Sequence, residues 1–135
     1  METEIIRKLV KLNKKALKNE EVPVSCIITK DNKIISKAYN SKIKKHDPTA
    51  HAEILAIKKA AKRLKTWNLN DCELYVTLYP CKMCIDVINE ARIKKVHYIL
   101  NTNKESKITI KFNKIICEEY DEFYDELTEF FKYKR

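Results

Sequence analysis

In residues 2–19, Ile5, Ile6, Leu9, Leu12, Ala16 and Leu17 recur at the three- and four-residue spacing of a helix, with lysines filling the intervals. The spacing predicts an amphipathic helix that lays one face on a core. Residues 22–29 (VPVSCIIT) and 34–39 (IISKAY) are instead β-branched runs joined by Lys30-Asp31-Asn32-Lys33, the pattern of an antiparallel hairpin. From Ala50 the apolar positions return to helical spacing at Ile54, Ile57, Ala61 and Leu64, and residues 67–71 end that helix before a buried-strand pattern, LYVTL at 74–78. A further helix over residues 81–91 leads to a second core-like strand, VHYIL at 96–100. Strands reached through helices should be parallel, with right-handed crossovers. The chain closes on Tyr120, Phe123, Tyr124, Leu127, Phe130 and Phe131, spaced as the buried stripe of a last helix.

Residues 101–117 read less clearly. Either 108–112 or 114–117 fits a fifth strand, and the first leaves few residues for a parallel crossover, which favours 114–117. No linker, repeat or low-complexity block interrupts the 135 residues. The expectation is one domain, residues 1–135, of three-layer α/β/α architecture with a mixed five-stranded sheet flanked by helices. The chain contains no glycine, so tight turns with positive φ are expected on asparagine or aspartate, such as Asn32 and Asn101.

Charge adds a possible partner. The formal net charge is +9, yet residues 117–131 carry seven acids and no base, which leaves 25 basic against 12 acidic side chains in the first 116 residues. Such a body favours phosphate backbones, and binding to them would weaken with salt. No run approaches the roughly 20 apolar residues of a membrane span, and the N-terminus does not read as a secretion signal. Five cysteines (Cys26, Cys72, Cys81, Cys84 and Cys117) are an odd count with one C-x-x-C pair, which fits a reducing cytoplasm better than a disulfide framework.

Two short stretches could carry chemistry. The segment HDPTAHAE, residues 46–53, holds two of the three histidines, and PCKMC, residues 80–84, holds the C-x-x-C pair. Each stands where a strand or loop gives way to a helix, where backbone N–H groups and the helix dipole favour thiolate. Cys81 and Cys84, three apart, share a helical face and can grip one ion, with His51 as a third ligand. Three protein ligands leave a fourth tetrahedral position open to water, the arrangement of a catalytic zinc site. Glu53, two residues beyond His51, is poorly placed for the same ion but well placed to carry protons. Alone, the C-x-x-C could equally be buried thiols, a redox pair or half of a structural zinc site, and H-x-E is common. Their order, H-x-E opening one helix and P-C-x-x-C opening the next with a strand between, favours the zinc site. Cys26, Cys72 and Cys117 read as core thiols, and His97 as a packed strand residue.

That order, with Glu21-Val22-Pro23-Val24, Asn40, residues 74–78 and Phe130-Phe131-Lys132, resembles the cytidine deaminase superfamily. Within it the chain is most similar to the bacterial-type tRNA adenosine deaminases, which convert the wobble adenosine to inosine. The resemblance covers most of the chain. It implies Zn²⁺ held by His51, Cys81 and Cys84, with Glu53 as proton shuttle. It also implies a base pocket of Val22, Pro23, Val24, Ala52 and Asn40, Asn40 hydrogen-bonding a flipped base. His46, Phe131, Lys132 and Arg135 would meet RNA, the anticodon loop of a tRNA being the partner, and the chain would act as a homodimer.

The chain also departs from its relatives. Ser25 stands where they usually have glycine, Tyr79 where they have glutamate, and the loop after residue 100 is short. The implied activity is hydrolytic deamination of adenosine in tRNA. A deaminase of a free base or nucleoside, of guanine or cytosine type, is the rival, because such enzymes share the same motifs. A non-catalytic RNA-binding subunit would lack the glutamate, and Glu53 is present.

Overall fold

In the computed structural model, which describes residues 1–101 and 110–133, the hairpin turn is made by Asp31 and Asn32 at φ of 51° and 62°. Two successive positive-φ residues give the turn a twist that matches right-handed strands. It joins β1 (Ser25–Lys30) to β2 (Lys33–Tyr39), antiparallel, with one register shift between Ile28 and Thr29. Before them lies α1 (Glu2–Lys18). After them come α2 (Lys42–Lys45), α3 (Ala52–Leu64), β3 (Cys72–Leu78), α4 (Lys82–Glu90), β4 (Lys95–Leu100), β5 (Lys111–Lys114) and α5 (Tyr120–Tyr133).

The sheet order is β2-β1-β3-β4-β5. The first strand is antiparallel to both its neighbours, whereas β3, β4 and β5 run parallel. Alternation along the strands divides the core. Cys26, Ile28, Leu74, Val76 and Val96 pack on one face with Ala52, Ala56 and Ala60 of α3 and Ile85 and Ile88 of α4. Ile27, Tyr75 and Ile99 pack on the other with Ile5, Leu9 and Leu12 of α1 and Phe123 of α5. Three alanines four residues apart let α3 lie close to the sheet. Arg63 of α3 donates to the carbonyls of Ile34 and Ile35, and Lys59 to that of Lys37, so α3 also covers the backbone of β2 at the sheet's edge. Ser25 is fully buried, and its hydroxyl donates to the Leu9 carbonyl at 3.1 Å, which satisfies the buried polar group.

Four expectations are corrected. The fifth strand is Lys111–Lys114, not 114–117, and pairs in parallel with β4 from Lys95↔Lys111 to Tyr98↔Lys114. The crossover objection fails on reach: a six-residue strand is about 20 Å long, and ten residues of extended chain span about 33 Å. Positive φ is not confined to asparagine and aspartate. It also occurs at Glu20, His46, Lys65 and Arg92, and not at Asn101. These four follow α1, α2, α3 and α4, where the chain leaves a helix through a left-handed residue whatever its type. The stripe of α5 is only partly buried: Phe123 is fully so, whereas Tyr124 and Phe131 are 50% and 45% exposed. The short helix α2 was not foreseen, because its four residues, KIKK, carry no amphipathic period. No helix among the described residues is long and apolar enough to cross a membrane.

Candidate active site

The two motifs meet outside the C-terminal end of β3, where α3 and α4 begin. His51 is the N-cap of α3 (φ −73°, ψ 151°) and Cys81 the N-cap of α4 (φ −72°, ψ 170°), so both lie in extended backbone at a helix start. The approach to His51 is set locally. Asp47 accepts hydrogen bonds from the backbone N–H and hydroxyl of Thr49 at 2.8 and 2.7 Å, and the Thr49 hydroxyl, followed by its N–H, holds the Asp47 carboxyl below its usual range. Pro48 keeps Asp47 out of helical geometry. Cys84 follows in the first turn of α4, fully buried.

His51 Nδ1 lies 3.4 Å from Cys84 Sγ and 3.7 Å from Cys81 Sγ, and the three ligand atoms are all within 4.8 Å of one another. A tetrahedral ion at ordinary zinc–nitrogen and zinc–sulfur bond lengths holds such atoms about 3.6–3.8 Å apart. The two distances from His51 are close to that spacing, so the group could hold a metal. Burial raises the Cys84 thiol well above its ordinary value, with Glu53 and Cys81 adding to the rise. Burial, then Lys42, lowers the His51 imidazole, which favours the neutral form that binds metals. Glu53 is 3% exposed, and burial pushes its carboxyl up to about 7.

A cavity of about 700 Å³ opens beside His51 and Cys81. Val22, Val24, Asn40, Lys42, His51, Glu53, Tyr79, Cys81, Lys82 and Phe131 are among the residues that line it. Pro23, between the two valines, is buried and presents its carbonyl to Asn13 Nδ2 at 2.9 Å. Ala52 is buried too, and its backbone N–H donates to Asn40 Oδ1 at 2.8 Å. That bond fixes the amide of Asn40: the oxygen is committed to the first turn of α3, and the NH₂ is the group left for a ligand. His46 is exposed at the end of α2, and Lys132 is exposed on α5. Arg135 lies outside the described residues.

Of three supporting residues, Asn13 and Lys42 carry no signal that sequence reasoning could use, and Glu21 enters only through the family resemblance. Asn13 on α1 holds Pro23. Glu21, 2% exposed, accepts the backbone N–H groups of Ile43 and Lys44 at 3.2 and 2.9 Å and so anchors α2. Lys42, set by that anchor, reaches the cavity. The two tasks of Asn40 are separable. Asn40→Ala should lower folding stability by about 1–2 kcal/mol through loss of the α3 partner, and should weaken substrate binding as well. Asn40→Asp keeps the acceptor and removes the donor, so thermal unfolding should stay near wild type while KM rises.

Residues 1–100 match the family described as the cytidine and deoxycytidylate deaminase zinc-binding region. The chain belongs to that family. The chain is 50% identical over 100 residues to the tRNA-specific adenosine deaminase of Aquifex aeolicus (strain VF5), a match covering 74% of this chain and 66% of that protein, just under two thirds of its length. A solved structure from a study of A-to-I editing by tRNA:A34 deaminases at the wobble position of transfer RNA superposes with a TM-score of 0.77 at 28% identity. It covers 85% of this deaminase and 100% of that chain. Guanine deaminase from Bacillus subtilis superposes with a TM-score of 0.69 at 28% identity, over 96% of this chain and 94% of that one. The mixed five-stranded sheet with helices on both faces is the architecture of this family.

Proposed function

We propose that this deaminase removes the exocyclic amine of adenosine at the wobble position of a tRNA, giving inosine. The observation that carries the proposal is the 50% identity over 100 residues to a tRNA-specific adenosine deaminase. In a chain of 135 residues any stretch of that length includes Asn40, His51, Glu53, Cys81 and Cys84. The strongly basic body supports an RNA partner. Val22, Val24 and Asn40 would receive the flipped base, while Phe131, Lys132, Arg135 and His46 would meet the flanking RNA. We extend the reading to a cytoplasmic homodimer, consistent with five free cysteines and with the family resemblance.

His51, Cys81 and Cys84 would hold zinc. When bound, zinc supplies Lewis acidity that makes water acidic near neutral pH. The other steps belong to the chain. Asn40 donates through Nδ2 to a ring nitrogen and orients the base. Glu53 stands in the first turn of α3, beside the ligands. It takes a proton from water as the water adds to C6 and delivers it to the amine as ammonia leaves. Burial beside Val24 and Ile85 keeps bulk water from competing for that proton.

The likeness to a guanine deaminase favours a second reading, deamination of a free purine base. Asn40 Nδ2, Lys42 and Lys82 supply donors to the cavity, which suits the ring-nitrogen acceptors of adenine. Incubation with a tRNA bearing A34, followed by sequencing, should show adenosine read as guanosine at that position. Release of ammonia from free guanine, with every tRNA unchanged, would replace this reading by the second.

A further inference from the structure

Tyr79 is held unusually firmly for a cavity-lining side chain. It follows β3, and its backbone N–H donates to the Leu100 carbonyl at 2.8 Å. Its ring stacks on Phe112 of β5, with centroids 4.7 Å apart and planes at 28°, and meets the edge of Tyr98 of β4 at 5.1 Å and 84°. The residue is 5% exposed and borders the same cavity as Glu53, Asn40 and Cys81. Its hydroxyl makes no hydrogen bond with a described residue. Nor is it among the sealed polar atoms that lack a partner, which among the described residues are Asn13 Oδ1 and Glu126 Oε1.

A phenol fixed at backbone and ring beside the cavity, with no hydrogen-bond partner for its oxygen among the described residues, is preorganised for a ligand. A hydrogen bond formed there costs little side-chain entropy, because the ring is already ordered. We propose that Tyr79 is a substrate-contacting, specificity-determining residue. Its hydroxyl hydrogen-bonds the nucleotide in the cavity, and Phe112 is the positioning residue that aims it. The hydroxyl can donate to a ring nitrogen and can equally accept from a ribose hydroxyl. It thus adds a second polar contact to that of Asn40. No proton transfer is assigned to it: the contact belongs to binding, so it should act on KM rather than on kcat.

This inference rests on the deaminase reading but not on the RNA. Tyr79→Phe keeps the ring and its packing and removes only the oxygen, so folding and zinc content should match wild type. With an anticodon stem–loop bearing A34, KM should rise about fivefold, the effect of losing one hydrogen bond, and kcat should stay within about twofold. Phe112→Leu should raise KM in the wild type but add nothing to Tyr79→Phe, because the two act through the same oxygen. The same comparison is run in parallel on free adenosine, cytosine and guanine. Wild-type turnover of a free base alone would sink the tRNA reading, whereas the ratio of Tyr79→Phe to wild type on that base still decides this one. Unchanged KM in Tyr79→Phe overturns the proposal. So does a fall in activity that merely tracks a loss of folded protein, which would make Tyr79 structural only.

Discussion

Replacing Glu53 by glutamine is expected to leave the deaminase folded and metal-loaded while lowering kcat roughly a thousandfold, within the range of a lost general acid–base group. Glutamine has nearly the same volume, so the fully packed surroundings of Glu53, 3% exposed in the first turn of α3, need not adjust. What it lacks is a carboxylate that can take and return a proton. Single-turnover rates on the stem–loop, with zinc content and unfolding temperature measured on the same samples, separate these contributions. A variant that turned over at the wild-type rate would remove Glu53 from the chemistry. A variant that lost zinc would instead make it a support for the ligands.

The second large effect concerns the ligands. Cys84→Ala should reduce zinc from about one ion per chain, the stoichiometry of a single three-ligand site, to a trace, and should abolish turnover. Because Cys84 is fully buried and 3.4 Å from His51, its loss leaves Cys81 and His51 as two ligands, too few to retain the ion through dialysis. A bound ion stabilises the native state in proportion to the logarithm of its occupancy, so a chelator should lower the unfolding temperature of the wild type. It should leave that of Cys84→Ala almost unmoved. Equal chelator shifts in both proteins would show that the ion sits elsewhere.

The site was legible because its chemistry is written in short spacings at two helix starts. His51, Cys81 and Cys84 needed only the order of two motifs around one strand to be placed together, and the structure brings them within 4.8 Å. The four longer helices and the four longer strands were equally legible from the periodicity of apolar positions. The misses have a common cause. The strand β5 is four residues long and lies at the sheet edge, where KFNK buries only part of one side chain, Phe112, and so shows no strong period. Asn13, Glu21 and Lys42 act across the fold through single hydrogen bonds or one exposed ammonium, and such contacts leave no pattern in neighbouring residues. Tyr79 lay in plain view beside the motif, yet its role depends on Phe112 and Tyr98, partners that only the folded sheet supplies.

The six positive-φ positions among the described residues, Glu20, Asp31, Asn32, His46, Lys65 and Arg92, bear on the unfolded chain as much as on the folded one. A side-chain-bearing residue in the left-handed region costs about 1–2 kcal/mol. A glycine would avoid that cost but would widen the unfolded ensemble, at about 0.5–1 kcal/mol per position. A chain without glycine therefore holds strain in its turns and begins folding from a narrower set of conformations. The two effects run in opposite directions at each position, so glycine at Lys65 or Arg92 would offset about half of what it gained in the turn by loosening the denatured state.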